Sequence, residues 1–109
     1  MFGSSINLKS DAEIALMREA GRLNAMTLEA VKAEIRPGVS TGELNEVAES
    51  FQGAHGVCSP FRNYGPGNGV PFTGSICASV NEEMVHGIPG KRKLQEGDII
   101  SVDCGTVYE

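Results

Sequence analysis

Cysteine is scarce in this 109-residue chain, and histidine is scarcer. Cys58, Cys77 and Cys104 include no CxxC pair, and an odd count without a secretion signal argues for reduced thiols rather than a disulfide frame. A structural zinc site needs four ligands, and only His55 and His86 could supplement the thiols. No apolar run approaches the roughly 20 residues that a membrane-spanning helix requires. Met1-Phe2-Gly3-Ser4-Ser5 has neither the charged nor the apolar region of a signal peptide, so the cytoplasm is the expected compartment. Positive charge is sparse and scattered: the net charge is -5, and the densest basic run is Lys91-Arg92-Lys93 in a turn. Nucleic acid and membrane surfaces are therefore not expected partners. Internal repeats and low-complexity tracts are missing as well.

What is present fits one domain at most. A chain of this length buries about 65% of the surface its unfolded form exposes, enough for one modest core. Ser10 and Glu13 have capping-box spacing, with hydroxyl and carboxylate placed to satisfy amides at a helix start. Ile14, Met17, Gly21, Asn24, Leu28, Val31 and Ile35 then recur at three-four spacing, and Leu16, Ala20 and Leu23 widen the stripe. The expected helix runs from about Asp11 to about Ile35, where Pro37-Gly38 stops it. Gly21 and Asn24 read as positions of close approach or local polar contact. Ser40 and Glu43 repeat the capping pattern. Leu44, Val47, Ala48 and Phe51 give a second, shorter helix ending near Gly53, with Arg36–Leu44 as the linker.

Glycine and proline then crowd the stretch from Gly53 to Gly74, and Tyr64–Phe72 cannot be a regular element. Alternation resumes with Ile76, Ala78 and Val80 against Cys77 and Ser79, a half-buried strand. Strands are expected near residues 75–80, 82–86 and 98–105, mostly antiparallel, with the helices on one face. The run Ile99–Cys104 has apolar groups on both faces and reads as a largely buried strand ending in a carboxylate, Asp103. A carboxylate so placed must be paired, hydrogen-bonded or bound to metal.

Taken singly, these residues support plain readings. His86 could be a loop histidine, Asp103 a turn former before Gly105, and Cys77 a small buried apolar residue. Asn81-Glu82-Glu83 reads as a solvated turn. The combined wording is more specific. Asn81-Glu82-Glu83-Met84-Val85-His86-Gly87-Ile88-Pro89, followed by Leu94-Gln95-Glu96-Gly97-Asp98-Ile99-Ile100-Ser101-Val102-Asp103, closely resembles the type I methionine aminopeptidases. The likeness extends from Asp11 onward and includes the Arg36–Leu44 wording.

The resemblance implies an α+β fold, the N-terminal half of a pita-bread (creatinase/aminopeptidase) domain, with residues 1–109 as a single partial domain. It implies metal-dependent removal of the initiator methionine from nascent polypeptides. His86 would be the catalytic group beside the scissile amide, and His86, Cys77, Tyr64 and Phe72 would contact substrate. Asp103 would be the first of five ligands to two divalent ions (cobalt, manganese, iron or zinc). The Tyr64–Phe72 loop departs from the family pattern, with Pro71-Phe72 in place of the usual aromatic-proline order. With one ligand of five, the chain by itself is expected to hold no metal pair tightly, to be inactive and to self-associate. Two other readings stand beside this one. The chain could be a non-catalytic half-fold that binds partners through a sheet edge, or a relative acting on Xaa-Pro peptides or creatine.

Overall fold

A computed structural model describes residues 6–62 and 72–108. Two helices precede a two-stranded antiparallel sheet: α1 (Asp11–Ala33), α2 (Thr41–Ala54), β1 (Ile76–Val80) and β2 (Ile100–Cys104). Both helices begin as their sequences dictate. The Ser10 N–H donates to Glu13 Oε1 (2.7 Å) and the Glu13 N–H to Ser10 Oγ (3.1 Å), and Ser40 and Glu43 repeat the exchange at 2.9 and 3.1 Å. These bonds hold both glutamates below the ordinary carboxylate range, the amide at the cap being the larger cause. The first helix stops two residues before Ile35, in a tightened last turn closed by Glu34 N–H to Val31 O (3.0 Å). At the end of α2, Gly56 has φ +71°, and the Val57 N–H reaches Gln52 O (2.9 Å), a Schellman closure that carries the helix one residue past Gly53.

The core forms where α2 and the last turns of α1 meet the sheet. Val31, Val39, Leu44, Ala48 and Leu94 pack with Ile76, Ala78 and Val80, and Ile100, Val102 and Cys104 border them. The inner face of α1 differs from the expected stripe. Its buried residues are Leu23, Thr27 and Val31, while Ile14 and Met17 are exposed. Gly21 is exposed and meets nothing, so the close approach expected there is absent. Asn24 does make its polar contact, accepting from the Thr106 hydroxyl (2.9 Å).

The sheet also corrects two expectations. β2 is covered on one face only: Ser101 and Asp103 are exposed, and Ile99, just before the strand, is 73% exposed. Asp103 is thus a solvated carboxylate rather than one forced to find a buried partner. The stretch expected as a strand at 82–86 is an arch. Asn81 (φ 52°) and His86 (φ 58°), both left-handed, bend the chain at its two ends. The cause lies in the amides of β1 that face away from β2. Ile76 N–H donates to Asn45 Oδ1 (3.2 Å), Ala78 N–H to Gly87 O (2.9 Å) and Val80 N–H to Glu83 Oε1 (2.8 Å). A helix side chain, one loop carbonyl and one carboxylate close that edge, so no third strand is needed to satisfy it.

Candidate functional site

Strand alternation divides the sheet's side chains. Ile76, Ala78 and Val80 go with Ile100, Val102 and Cys104 toward the helices, leaving Cys77, Ser79, Ser101 and Asp103 on the other face. Cys77 is directly opposite Asp103 across the antiparallel ladder, and Ser79 opposite Ser101. Directly opposed residues on one face have neighbouring side chains. Burial and, second to it, the Asp103 carboxylate raise the Cys77 thiol above its ordinary range. The same two causes push Cys104 up to about 11. A thiol so held is protonated at neutral pH. It suits a soft wall better than a nucleophile.

His86 lies on the opposite side of β1. The residue after it is wedged against the strand: a Cβ on Gly87 would fall 2.2 Å from the Ala78 carbonyl oxygen and 2.9 Å from Ser79 Cα. Only glycine fits there. Its carbonyl accepts from Ala78 N–H, and its own N–H donates to Ser79 Oγ at 3.0 Å. The arch is fixed at its other end by Asn81, which donates to Asp98 Oδ1 (2.9 Å) and accepts from Ile99 N–H (3.0 Å). That bond, followed by the Gln95 amide, holds the Asp98 carboxyl below its usual range.

The segment beyond His86 is docked by the loop between the helices and the first turn of α2, a stretch that the sequence shows only as a linker. Gly42 N–H donates to Gly90 O (2.8 Å), Thr41 N–H to Arg92 O (3.0 Å) and Gly38 N–H to Leu94 O (2.7 Å), while Leu94 N–H returns to Val39 O (2.8 Å). Thr41 Oγ1 accepts from Gly90 N–H at 2.8 Å. A Cβ on Gly42 would sit 2.9 Å from Gly90 O, and one on Gly74 2.8 Å from Pro89 Cδ. These glycines admit the loop that carries His86. Nothing in a single sequence marks them apart from ordinary turn glycines.

Of the expected site residues, Cys77 and Asp103 share one face, and His86 flanks them across β1. The His86 and Asp103 backbones are separated by two strand spacings, about 10 Å, with β1 between them. Phe72 is half-buried, and Tyr64 lies outside the described residues. Among the described residues no three His, Cys, Asp or Glu side chains group to hold a metal ion. The donors present therefore do not fit a two-metal centre. Asp103 offers one exposed carboxylate. The groove of about 640 Å³ lined by Ala30, Glu34, Arg36, Glu43 and Val47 belongs to the helices, away from this face.

The model of metallopeptidase family M24 matches residues 15–109. Methionine aminopeptidase 1 of Bacillus subtilis (strain 168) is 54% identical over 98 residues, which are 90% of this chain and 38% of that protein. The crystal structure of methionine aminopeptidase from Rickettsia prowazekii superposes with a TM-score of 0.88 at 32% identity, covering 95% of this chain and 40% of that one. That from Thermotoga maritima gives 0.87 at 37% identity, covering 96% and 41%. The chain thus spans about two fifths of the length of these relatives, and its helices and sheet are the first part of their pita-bread fold.

Proposed function

Since the chain belongs to metallopeptidase family M24, we propose that it supplies the first part of a cytoplasmic enzyme that removes the N-terminal methionine from nascent polypeptides. The observation that carries this is the cross-strand pair of Cys77 and Asp103, flanked across β1 by the anchored His86. In this reading His86 contacts the amide to be cleaved, where an imidazole can donate to it or orient it. Cys77 and Phe72 line an apolar slot for the methionine side chain, to which a thiol and an aromatic ring adapt well. Tyr64, outside the described residues, is the remaining pocket candidate that the family likeness offers. Asp103 is one metal ligand.

Two divalent ions (cobalt, manganese, iron or zinc) would polarise the amide carbonyl and acidify a water in the whole enzyme. Hard cations need several oxygen ligands fixed together, and one carboxylate leaves an ion mostly hydrated. The 109 residues alone are accordingly inactive and hold no ion pair. The test is complementation with the remaining segment of the Bacillus subtilis relative, expressed as a separate chain. The expected result is release of methionine from a Met-Ala peptide by the mixture and by neither piece alone. A stable complex that spares Met-Ala but cleaves an Xaa-Pro peptide would replace the reading with that of a relative of different specificity.

A second reading, a self-associating half-fold, draws on the exposed apolar side chains. Met84 is 87% exposed, Ile99 73% and Ile88 62%. Apolar area of this kind favours a second copy as its cover. Light scattering at tens of micromolar should show a dimer that Met84→Asp and Ile99→Asp dissociate. A monomer at that concentration would dismiss it.

A further inference from the structure

We propose that Ser79 is a positioning residue for His86: its buried hydroxyl holds the Gly87 amide and thereby fixes the backbone from which the imidazole projects. The inference rests on the reading that His86 meets the substrate amide, and it extends that reading to a residue on a different element.

Three observations carry it. First, the arch 81–87 is bounded by two non-glycine residues with positive φ, Asn81 and His86. Such a conformation persists in an L-residue only where its surroundings over-determine it. Asn81 is over-determined by its own side chain, which bonds to Asp98 and to the Ile99 amide. His86 is exposed, and what fixes its backbone is the anchoring of its neighbour, Gly87.

Second, that anchoring does not follow the strand pattern. A regular antiparallel neighbour would exchange two backbone hydrogen bonds with Ala78. Gly87 makes one, accepting from Ala78 N–H at 2.9 Å. Its Cα has come so close to the Ala78 carbonyl that a Cβ would stand 2.2 Å from the oxygen. The Gly87 N–H goes instead to Ser79 Oγ, at 3.0 Å. Gly87 is itself buried, so without that oxygen its amide would have no solvent to turn to.

Third, the serine's placement is specific. Ser79 is 5% exposed, whereas Ser101, its partner across the ladder on the same face, is exposed. The two serines share a face and differ in what they touch, so Ser101 is an internal control. Ser79 also sits two residues from Cys77 on that face. One strand thus carries a pocket wall and the clamp for the amide-contacting group, and fixes the spacing between them.

The chain's two histidines make the test direct. Imidazole carbon-bound proton signals and amide hydrogen exchange would be recorded by NMR on the 109-residue chain, for wild type, Ser79→Ala, Ser79→Thr and Ser101→Ala. Ser79→Ala should move the His86 ring signals and speed exchange at the Gly87 amide about tenfold, the factor one net hydrogen bond carries. His55, stacked on Phe51 at the end of α2, should not move. Ser79→Thr, which keeps the hydroxyl, should leave His86 and Gly87 as in wild type, and so should Ser101→Ala. If Ser79→Ala does not fold, Ser79→Thr still decides: a folded threonine variant that loses Gly87 protection overturns the proposal. So does a folded alanine variant with His86 unmoved, or one in which His55 and His86 shift together. None of these readouts depends on turnover, so they stand or fall separately from the proposed activity.

Discussion

Gly87→Ala should be among the most damaging single-methyl additions this chain can suffer. The new Cβ would lie 2.2 Å from the Ala78 carbonyl oxygen, 2.8 Å from its carbon and 2.9 Å from Ser79 Cα. All three are backbone atoms of β1, the strand with β2 on one side and the arch on the other, so no rotamer change relieves the overlap. Overpacking that forces backbone shifts costs about 1–3 kcal/mol. Moving the arch outward also breaks the bonds to Ala78 N–H and Ser79 Oγ. A buried polar group left without a partner costs about 1–3 kcal/mol. Together the loss is about 2–6 kcal/mol, against about 5–15 kcal/mol for the whole stability of an ordinary domain. Gly21→Ala provides the opposite sign within the same chain. Gly21 is an exposed position inside α1 with nothing within 4 Å, and alanine there should add about 0.5–1 kcal/mol. Urea unfolding followed by circular dichroism measures both. With a slope of about 1–3 kcal/mol per molar, Gly87→Ala should lower the midpoint by about 2 M or abolish the transition. A midpoint within 0.5 M of wild type (about 1 kcal/mol at an ordinary slope) would refute the close approach.

Three further outcomes are expected. His86→Gly relieves a left-handed conformation in an L-residue and should stabilise the chain by about 0.5–1 kcal/mol, while it abolishes methionine release in the complemented enzyme; a destabilised variant in urea unfolding would show that His86 serves the fold. At pH 8, Cys58, which is exposed, should react with a maleimide well before Cys77 and Cys104, whose thiols are raised, and Asp103→Asn should speed alkylation at both by removing the carboxylate that helps raise them; mass spectrometry of the labelled peptides reads the order. Glu13 and Glu43 titrate below their unfolded value of 4.5, so their contribution to the helix starts is present above that pH and fades as pH falls through the lowered folded values; Glu13→Gln with Glu43→Gln should flatten the acid limb of the helical signal, and an unchanged limb would show that the caps carry none of it.

Sequence legibility followed the range of the interactions. Ser10 with Glu13 and Ser40 with Glu43 are three residues apart, and both capping boxes formed as their spacing indicates. Alternation placed Cys77 and Asp103 on strands, and the ladder then set them side by side. The misreadings came where a distant segment decides. Ile14 and Met17 have helical periodicity, yet only the later turns of α1 meet the sheet, so the stripe runs through Leu23, Thr27 and Val31 instead. The stretch 82–86 has the composition of an extended run, but Asn81, bonded to Asp98 and to the Ile99 amide far along the chain, turns it out of the sheet. The Arg36–Leu44 stretch looks like a connection because its partners, Gly90, Arg92 and Leu94, are half the chain away. Ser79 is the extreme case. In sequence it is a polar residue on the outer face of a strand, indistinguishable from Ser101, and only the arrival of Gly87 on the far side of β1 gives its hydroxyl a donor. Residues that do chemistry are marked by type, and histidine and aspartate are rare enough to notice. The serines and glycines that hold them in place are common types, and only contacts between distant segments set them apart.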